Sequence, residues 1–287
     1  MSAVANEKKP DADTLREAIG RETRSSDVVN LARCQQLEAT LDRGVDKVAV
    51  GDPAPLGIHW CVNLACAPMA QIDTDGHPKR GQFLPDVPLP RRMWAGGQLR
   101  LLDPILVGDR VDQTSIITDV RVKEGRSGTL CFITVEHTIS TERGVAIREK
   151  QDIVYRGQTS TPKPASISEE VAKSATIRKA VTANPVLLFR YSALTFNAHR
   201  IHYDRDYAQL EEGYPGLVVH GPLQATQLLN LAASYKCMPK TFHFRGVSPL
   251  FDGSEYTLNA EPTDAGLDLW TSSAAGHDAM LAKAEWS

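Results

Sequence analysis

The sequence predicts an α+β protein in which one domain is written twice, each copy a helix packed on an antiparallel sheet. Leu99–Val111 (LRLLDPILVGDRV) aligns with Phe244–Tyr256 (FRGVSPLFDGSEY): Arg100, Pro104 and Gly108 match Arg245, Pro249 and Gly253, each pair 145 residues apart. Upstream, Asn63–Ala65 matches Asn230–Ala232 at a spacing of 167, so the first copy carries about 22 extra residues between helix and strand. The third observation gives the class. Thr129–Ser140 (TLCFITVEHTIS) alternates apolar and polar residues, the period of a half-buried strand, while apolar, helix-like runs precede the repeated passages.

The elements follow in order. Ser26, with Asp27 in the first turn, predicts a helix running through Val29, Leu31 and Leu37 to Leu41. A second helix is predicted over Ile58–Ala65. Strands are predicted at Gln98–Leu102, Gln113–Val122, Leu130–Ser140 and Ala146–Tyr155, the last three joined as a meander by the turns Glu124–Gly128 and Thr141–Gly144. The first copy spans 1–157, with its insert at 68–94. Residues 158–172, rich in Ser, Thr and Pro over Gln158–Ser168, form a linker, and 173–287 is the second copy, its first strand within Lys173–Asn184. The insert, with the runs DTDGHP and PLPRRMW, is too long for a passive connection and has the character of a lid or binding loop.

Composition excludes several classes. A net charge of −3 offers no general attraction to nucleic acid or anionic lipid, so an anionic ligand needs local arginines. No apolar run is long enough to span a bilayer, and Met1–Pro10 has no apolar core of a leader. Five scattered cysteines fit reduced thiols and a cytoplasmic setting. Cys61 and Cys66 lack a second pair, and His199 and His202 lack a third donor apart from His220, so no metal is expected.

Chemistry concentrates in Tyr191–Ala208 (YSALTFNAHRIHYDRDYA) and Val218–Leu223 (VVHGPL). Asn197, His199, Arg200, His202 and His220 lie just ahead of Gly221 and Pro222, which open an apolar helix. Imidazoles can move protons near neutral pH, and a helix N-terminus can hold negative charge, a combination suited to chemistry on a carbonyl compound.

These residues carry a resemblance. Tyr191, Thr195, Asn197, His199, Arg200, Ile201, His202 and Ala208, followed by Val219, His220 and Gly221, resemble the motif of the MaoC-like (R)-specific enoyl-CoA hydratases, with Asn197, His199 and Arg200 standing where that family has Asp, Asn and Pro. Longer passages, among them HWCVNLA, FLPDVPLPRRMWAGG, VEHTISTERG and QDIVYR, are similar to the mesaconyl-C4-CoA (3-methylfumaryl-CoA) and itaconyl-CoA hydratases. The resemblance implies a double hot dog fold, two central helices each wrapped by an antiparallel sheet, with a degenerate first half. It implies addition of water to a branched five-carbon dicarboxylyl-CoA to give citramalyl-CoA in itaconate degradation. No cofactor is implied beyond the CoA of the substrate, and the expected assembly is a homodimer or higher homo-oligomer. His202 would be the base, Asn197 would position water, and the Gly221 N–H would hold the developing oxyanion. Arg200, Arg91 or Arg92 would bind the distal carboxylate, with His199 and His220 near the substrate.

Other readings stay open at this level. Arg200 could pair with Asp204 or Asp206, Arg91 and Arg92 could be a solvated pair, and His199 could support the fold. Asp42 falls where the first half might echo Asn197. A hot dog thioesterase or a non-catalytic acyl-CoA-binding subunit is the rival function.

Overall fold

The computed structural model describes residues 10–125, 128–157 and 175–287; the linker at 158–172 lies outside them. The first half contains α1 (Ala12–Arg16), β1 (Glu22–Val28), α2 (Leu31–Thr40), β2 (Arg91–Leu101), β3 (Arg110–Gly125), β4 (Gly128–Thr141) and β5 (Gly144–Arg156). The second contains β6 (Ile177–Thr182), α3 (Pro185–Leu194), α4 (Gly221–Tyr235), β7 (Thr241–Gly246), β8 (Glu255–Thr263), β9 (Gly266–Ser273) and β10 (Asp278–Glu285).

All ten strands form one sheet in the order β1-β3-β4-β5-β2-β7-β10-β9-β8-β6, which reads the same from either edge once each strand is matched to its repeat. The halves meet where β2 pairs antiparallel with β7. There Gln98 faces His243, its own repeat equivalent 145 residues on, so the pseudo-twofold axis passes between these two residues. Gly96 and Gly97 allow the close seam: a Cβ on either would lie 2.6 Å from the Phe244 carbonyl or 2.5 Å from that of Lys150. One apolar core runs through both halves, from Val29, Leu37 and Leu99 to Leu223, Leu228 and Phe242.

The four predicted strands are present and longer than expected. The helices of the first half need correction. Ser26 and Asp27 do not open a helix; they pair with Asp112 and Val111 in β1–β3. The helix starts after Asn30, whose side chain accepts from the Arg33 N–H at 2.8 Å. Asp27 is used elsewhere, accepting from the backbone N–H groups of Val28 and Asn63. The expected helix at Ile58–Ala65 is a single 3₁₀ turn, Ile58–Cys61. Asn63 has φ 55, a left-handed conformation that stops a helix, and Arg33 takes the Cys61 carbonyl. The second half thus holds the one full central helix among the described residues, the 15-residue α4. In the first half, Leu15 and Ala18 near α1 and Val87 and Leu89 of the insert cover the inner face of the sheet against Ile117, Ile133 and Tyr155.

Candidate functional site

The site forms where α3 ends. Thr195 closes the helix, Phe196 takes φ 49, and the chain enters the single turn Arg200–His202. The first half shows the same turn: Asp42, two residues past α2, has φ 56, so it corresponds to Phe196 rather than to Asn197. The following turn there, Val45–Lys47, contains no imidazole, which makes that half degenerate at this site.

His202 is buried, and its Nδ1–H donates to the Val218 carbonyl at 2.8 Å. That bond fixes the tautomer and leaves Nε2 as a proton acceptor. The ring stacks on His220, with centroids 3.6 Å apart and planes 19° from parallel. His220 is the cap residue of α4, so the base candidate lies against the start of that helix. His220 is fully buried, with Nε2 hydrogen-bonded to Ser192 Oγ at 2.8 Å, so it backs His202. Burial keeps these rings neutral. It lowers His202 to about 4, against the pull of the Val218 carbonyl, and lowers His220 well below the ordinary imidazole value. His199 is lowered to about 2 by burial and then by the neighbouring rings of His77 and His202.

Gly221 opens α4 with Pro222 in the first turn, where an N–H has no intrahelical acceptor. Trp94, at the end of the insert, packs on it: a Cβ at Gly221 would lie 3.0 Å from Trp94 Cε3. Trp94 in turn stacks on Phe244 and meets Trp60 edge-on, an apolar wall beside the helix start. Asn197 Oδ1 accepts from the His199 N–H at 3.0 Å, leaving its amide NH₂ as the group that could hold water.

The three arginines separate clearly. Arg200 is committed to Asp204 through two hydrogen bonds to Oδ2, at 3.0 and 2.8 Å, and stacks over Tyr207 at 4.1 Å. Arg91 pairs with Glu212 at 3.2 Å and donates to the Glu212 carbonyl at 2.7 Å. Arg92 has no carboxylate partner among the described residues. Its positive charge acts on Tyr155, His77 and His199.

Two residues of the site were missed from sequence. Asp75 and His77, from the DTDGHP run of the insert, lie against the motif: the rings of His77 and His199 are 4.1 Å apart, and His199 is 5.5 Å from His202. The only signal was the length and composition of the insert. Asp75, His77 and His199 bring their donor atoms within 4.8 Å of one another. A cleft of about 200 Å³ is lined by Thr74, Asp75, Arg80, Arg91, Tyr207 and Glu212, and Asp75 joins its wall to His77. A larger cavity, about 830 Å³, lies over the seam between halves at Gln98, Lys150, His243 and Lys283. Neither cavity is lined by the stacked histidines, but the smaller one is lined by Asp75, which bonds His77 beside His199.

The chain is similar to known proteins over most of its length. The family model for hydroxyacyl-thioester dehydratase type 2 matches residues 57–252. The mesaconyl-C(4)-CoA hydratase of Chloroflexus aurantiacus is 43% identical over 269 residues, covering 93% of this chain and 96% of that protein. Two solved structures share the fold at low identity. A MaoC-like dehydratase from Phytophthora capsici has a TM-score of 0.69 at 13% identity, covering 96% of this chain and 99% of its own. A conserved Mycobacterium tuberculosis protein described as a double hot dog has a TM-score of 0.54 at 14% identity, covering 96% and 98%. No helix among the described residues is long and apolar enough to cross a membrane. With its doubled sheet, its stacked imidazoles at a helix start and a family match over more than half its length, the chain is a double hot dog enzyme of the hydratase/dehydratase kind and belongs to the hydroxyacyl-thioester dehydratase type 2 family.

Proposed function

We propose that the protein adds water to a branched five-carbon dicarboxylyl-CoA, mesaconyl-C4-CoA or itaconyl-CoA, to give citramalyl-CoA. The observation that carries this reading is the free Nε2 of His202, set by the Val218 hydrogen bond and stacked on the cap of α4. His202 takes a proton from water as the hydroxyl bonds to C3. The double-bond electrons move toward the thioester, and the Gly221 N–H with the α4 dipole holds the oxygen that gains charge, a donor worth about 3–4 kcal/mol in a dry site. The imidazolium then returns its proton to C2 and the enolate collapses, so one water is added and the base is regenerated. This sequence needs a double bond conjugated with the thioester. Mesaconyl-C4-CoA has one; itaconyl-CoA carries a terminal methylene on C3, out of conjugation with a thioester at C1, and would first need a proton shift, so mesaconyl-C4-CoA is the better fit. The 43% identical relative named for that substrate supports the same choice.

On mesaconyl-C4-CoA the free carboxylate is attached to C3, where water adds, so its cation must sit beside the base. Arg92 suits this role, because Arg200 and Arg91 already hold Asp204 and Glu212. Arg92→Ala is expected to lower kcat/KM for mesaconyl-C4-CoA by about 10²-fold, the loss of a charge-assisted pair, while changing crotonyl-CoA little. Arg200→Ala should leave the ratio between the two substrates unchanged. The assay follows loss of enoyl-thioester absorbance with a thiol reagent in parallel. Equal effects of Arg92→Ala on both substrates would remove it from the carboxylate site, and release of free CoA without hydration would make the protein a thioesterase.

A further inference from the structure

The site described above has four imidazoles in a row and one carboxylate at the end of it. His220 stacks on His202, His202 meets His199 edge-on, and His199 lies 4.1 Å from His77. Beyond His77 stands Asp75, whose Oδ2 accepts from His77 Nδ1 at 2.9 Å and whose Oδ1 accepts from the His77 backbone N–H at 2.8 Å. Among the described residues Asp75 is the carboxylate whose charge acts on these rings. Asn197, whose Oδ1 accepts from the His199 backbone N–H, is an amide and carries no charge.

Asp75 is built into place by the insert. Asp73 and His77 close a turn through the Asp73 N–H and the His77 carbonyl at 2.7 Å, and Ile72 bridges Pro78. The tip docks on the motif: the Arg200 N–H donates to the Asp75 carbonyl at 2.9 Å, and the Arg200 guanidinium donates to the Thr74 carbonyl at 3.1 Å. Burial alone would raise the Asp75 carboxyl, but the hydrogen bond and charge of His77 hold it well below the usual carboxylate range, so the group is ionised at working pH.

We infer that Asp75, acting through His77, is a positioning residue of the hydration: its carboxylate offsets the positive charge that the imidazole row acquires when His202 takes the proton from water. Transient protonation of a buried imidazole needs such a counter-charge, since nothing else in the row supplies one. The groups that face the row are Asp75 and the opposing charges of Arg92 and Arg80, both of which act on His77. This inference rests on the proposed hydratase reading.

The test uses the full chain and three variants. Asp75→Asn keeps one of the two acceptor oxygens, turns the other into an NH₂ donor and removes the charge. It should lower kcat about 10- to 100-fold with little change in KM or Tm, and shift the acid limb of the kcat–pH profile to lower pH, because losing a negative charge makes His202 harder to protonate. Asn197→Asp in the Asp75→Asn background, which puts a carboxylate at the residue bonded to the His199 backbone, should recover part of the lost kcat; a purely structural role would not be rescued this way. His77→Gln, which cuts the connection, should match Asp75→Asn, and it decides the case if Asp75→Asn does not fold. Wild-type kcat and an unmoved pH profile in Asp75→Asn would overturn the inference while leaving the hydratase reading intact; a wild-type protein that hydrates no enoyl thioester would remove the reading itself. Loss of wild-type activity in a chelator, with recovery on added zinc, would also overturn it, making Asp75, His77 and His199 metal ligands instead.

Discussion

Replacing His202 by alanine is expected to lower kcat by about 10²- to 10⁴-fold, the range for loss of a general base, while the protein stays folded by circular dichroism. The expectation follows from two contacts. The Nδ1–H is committed to the Val218 carbonyl, so Nε2 is the free acceptor, and the ring stacks on the cap of the helix that would hold the enolate. His202→Asn keeps a donor for Val218 and should lose as much activity with a smaller fall in Tm. The same environment sets the pH dependence. Burial lowers His202 to about 4, so the base form is lost only as pH falls toward that value. Wild-type kcat should therefore stay flat from about pH 8 to about pH 5.5 and fall below it, with no limb near the ordinary imidazole value of about 6.5. Near-normal turnover in either variant, or a limb near 6.5 that disappears with His202, would contradict this assignment.

Gly76→Ala is expected to undo the docking of the insert. Gly76 has φ +92, where an L side chain is strained, and a Cβ there would lie 1.8 Å from the Ala198 carbonyl oxygen and 3.2 Å from His199 Cα. Both obstacles are backbone, so no side-chain rotation relieves them. Either the insert lifts from the motif or the motif shifts beneath it, and in both cases Asp75, His77 and His199 lose their registry. A fall in kcat of about tenfold or more, and a loss of stability of about 2–4 kcal/mol if the insert stays docked, are expected from steady-state kinetics and denaturant unfolding. Gly81→Ala is the control. It also has positive φ, but the nearest atom to its Cβ is an Asp86 side-chain carbon at 3.7 Å, so it should show the cost of φ without the clash. Equal behaviour of the two variants would mean that insert docking does not matter to the site.

How much of this was legible in the sequence depends on the range of the interactions. Strands β3, β4 and β5 are legible because they are half-buried: the pattern predicts Ala146–Tyr155, and β5 runs Gly144–Arg156. β1 was misread because Glu22–Val28 is an edge strand exposed on nearly its whole length, with no apolar alternation to mark it. Its Ser26-Asp27 pair has the chemistry of a helix cap, and pairing with β3 overrides that local preference. The helix expected after Ile58 failed for a related reason, since Arg33 and Asp27 satisfy backbone groups at Cys61 and Asn63 from far along the chain. The doubled architecture was readable because both copies kept their strand–turn residues at a constant spacing. Within the site, His202, His220 and Gly221 come together from 20 residues of chain, a short enough stretch to read. Asp75 and His77 sit more than 120 residues before His199, and only folding joins them. The three arginines look alike as sequence; they differ only in which already has a carboxylate, a fact of three-dimensional pairing.

The most direct test of the central claim is the structure of the protein bound to a saturated, unreactive thioester analogue of mesaconyl-C4-CoA. The thioester oxygen should lie about 3 Å from the Gly221 nitrogen, with a water in hydrogen-bond reach of His202 Nε2 on the C3 side. A thioester lodged instead in the large cavity over Gln98 and His243, with the stacked histidines untouched, would contradict the account.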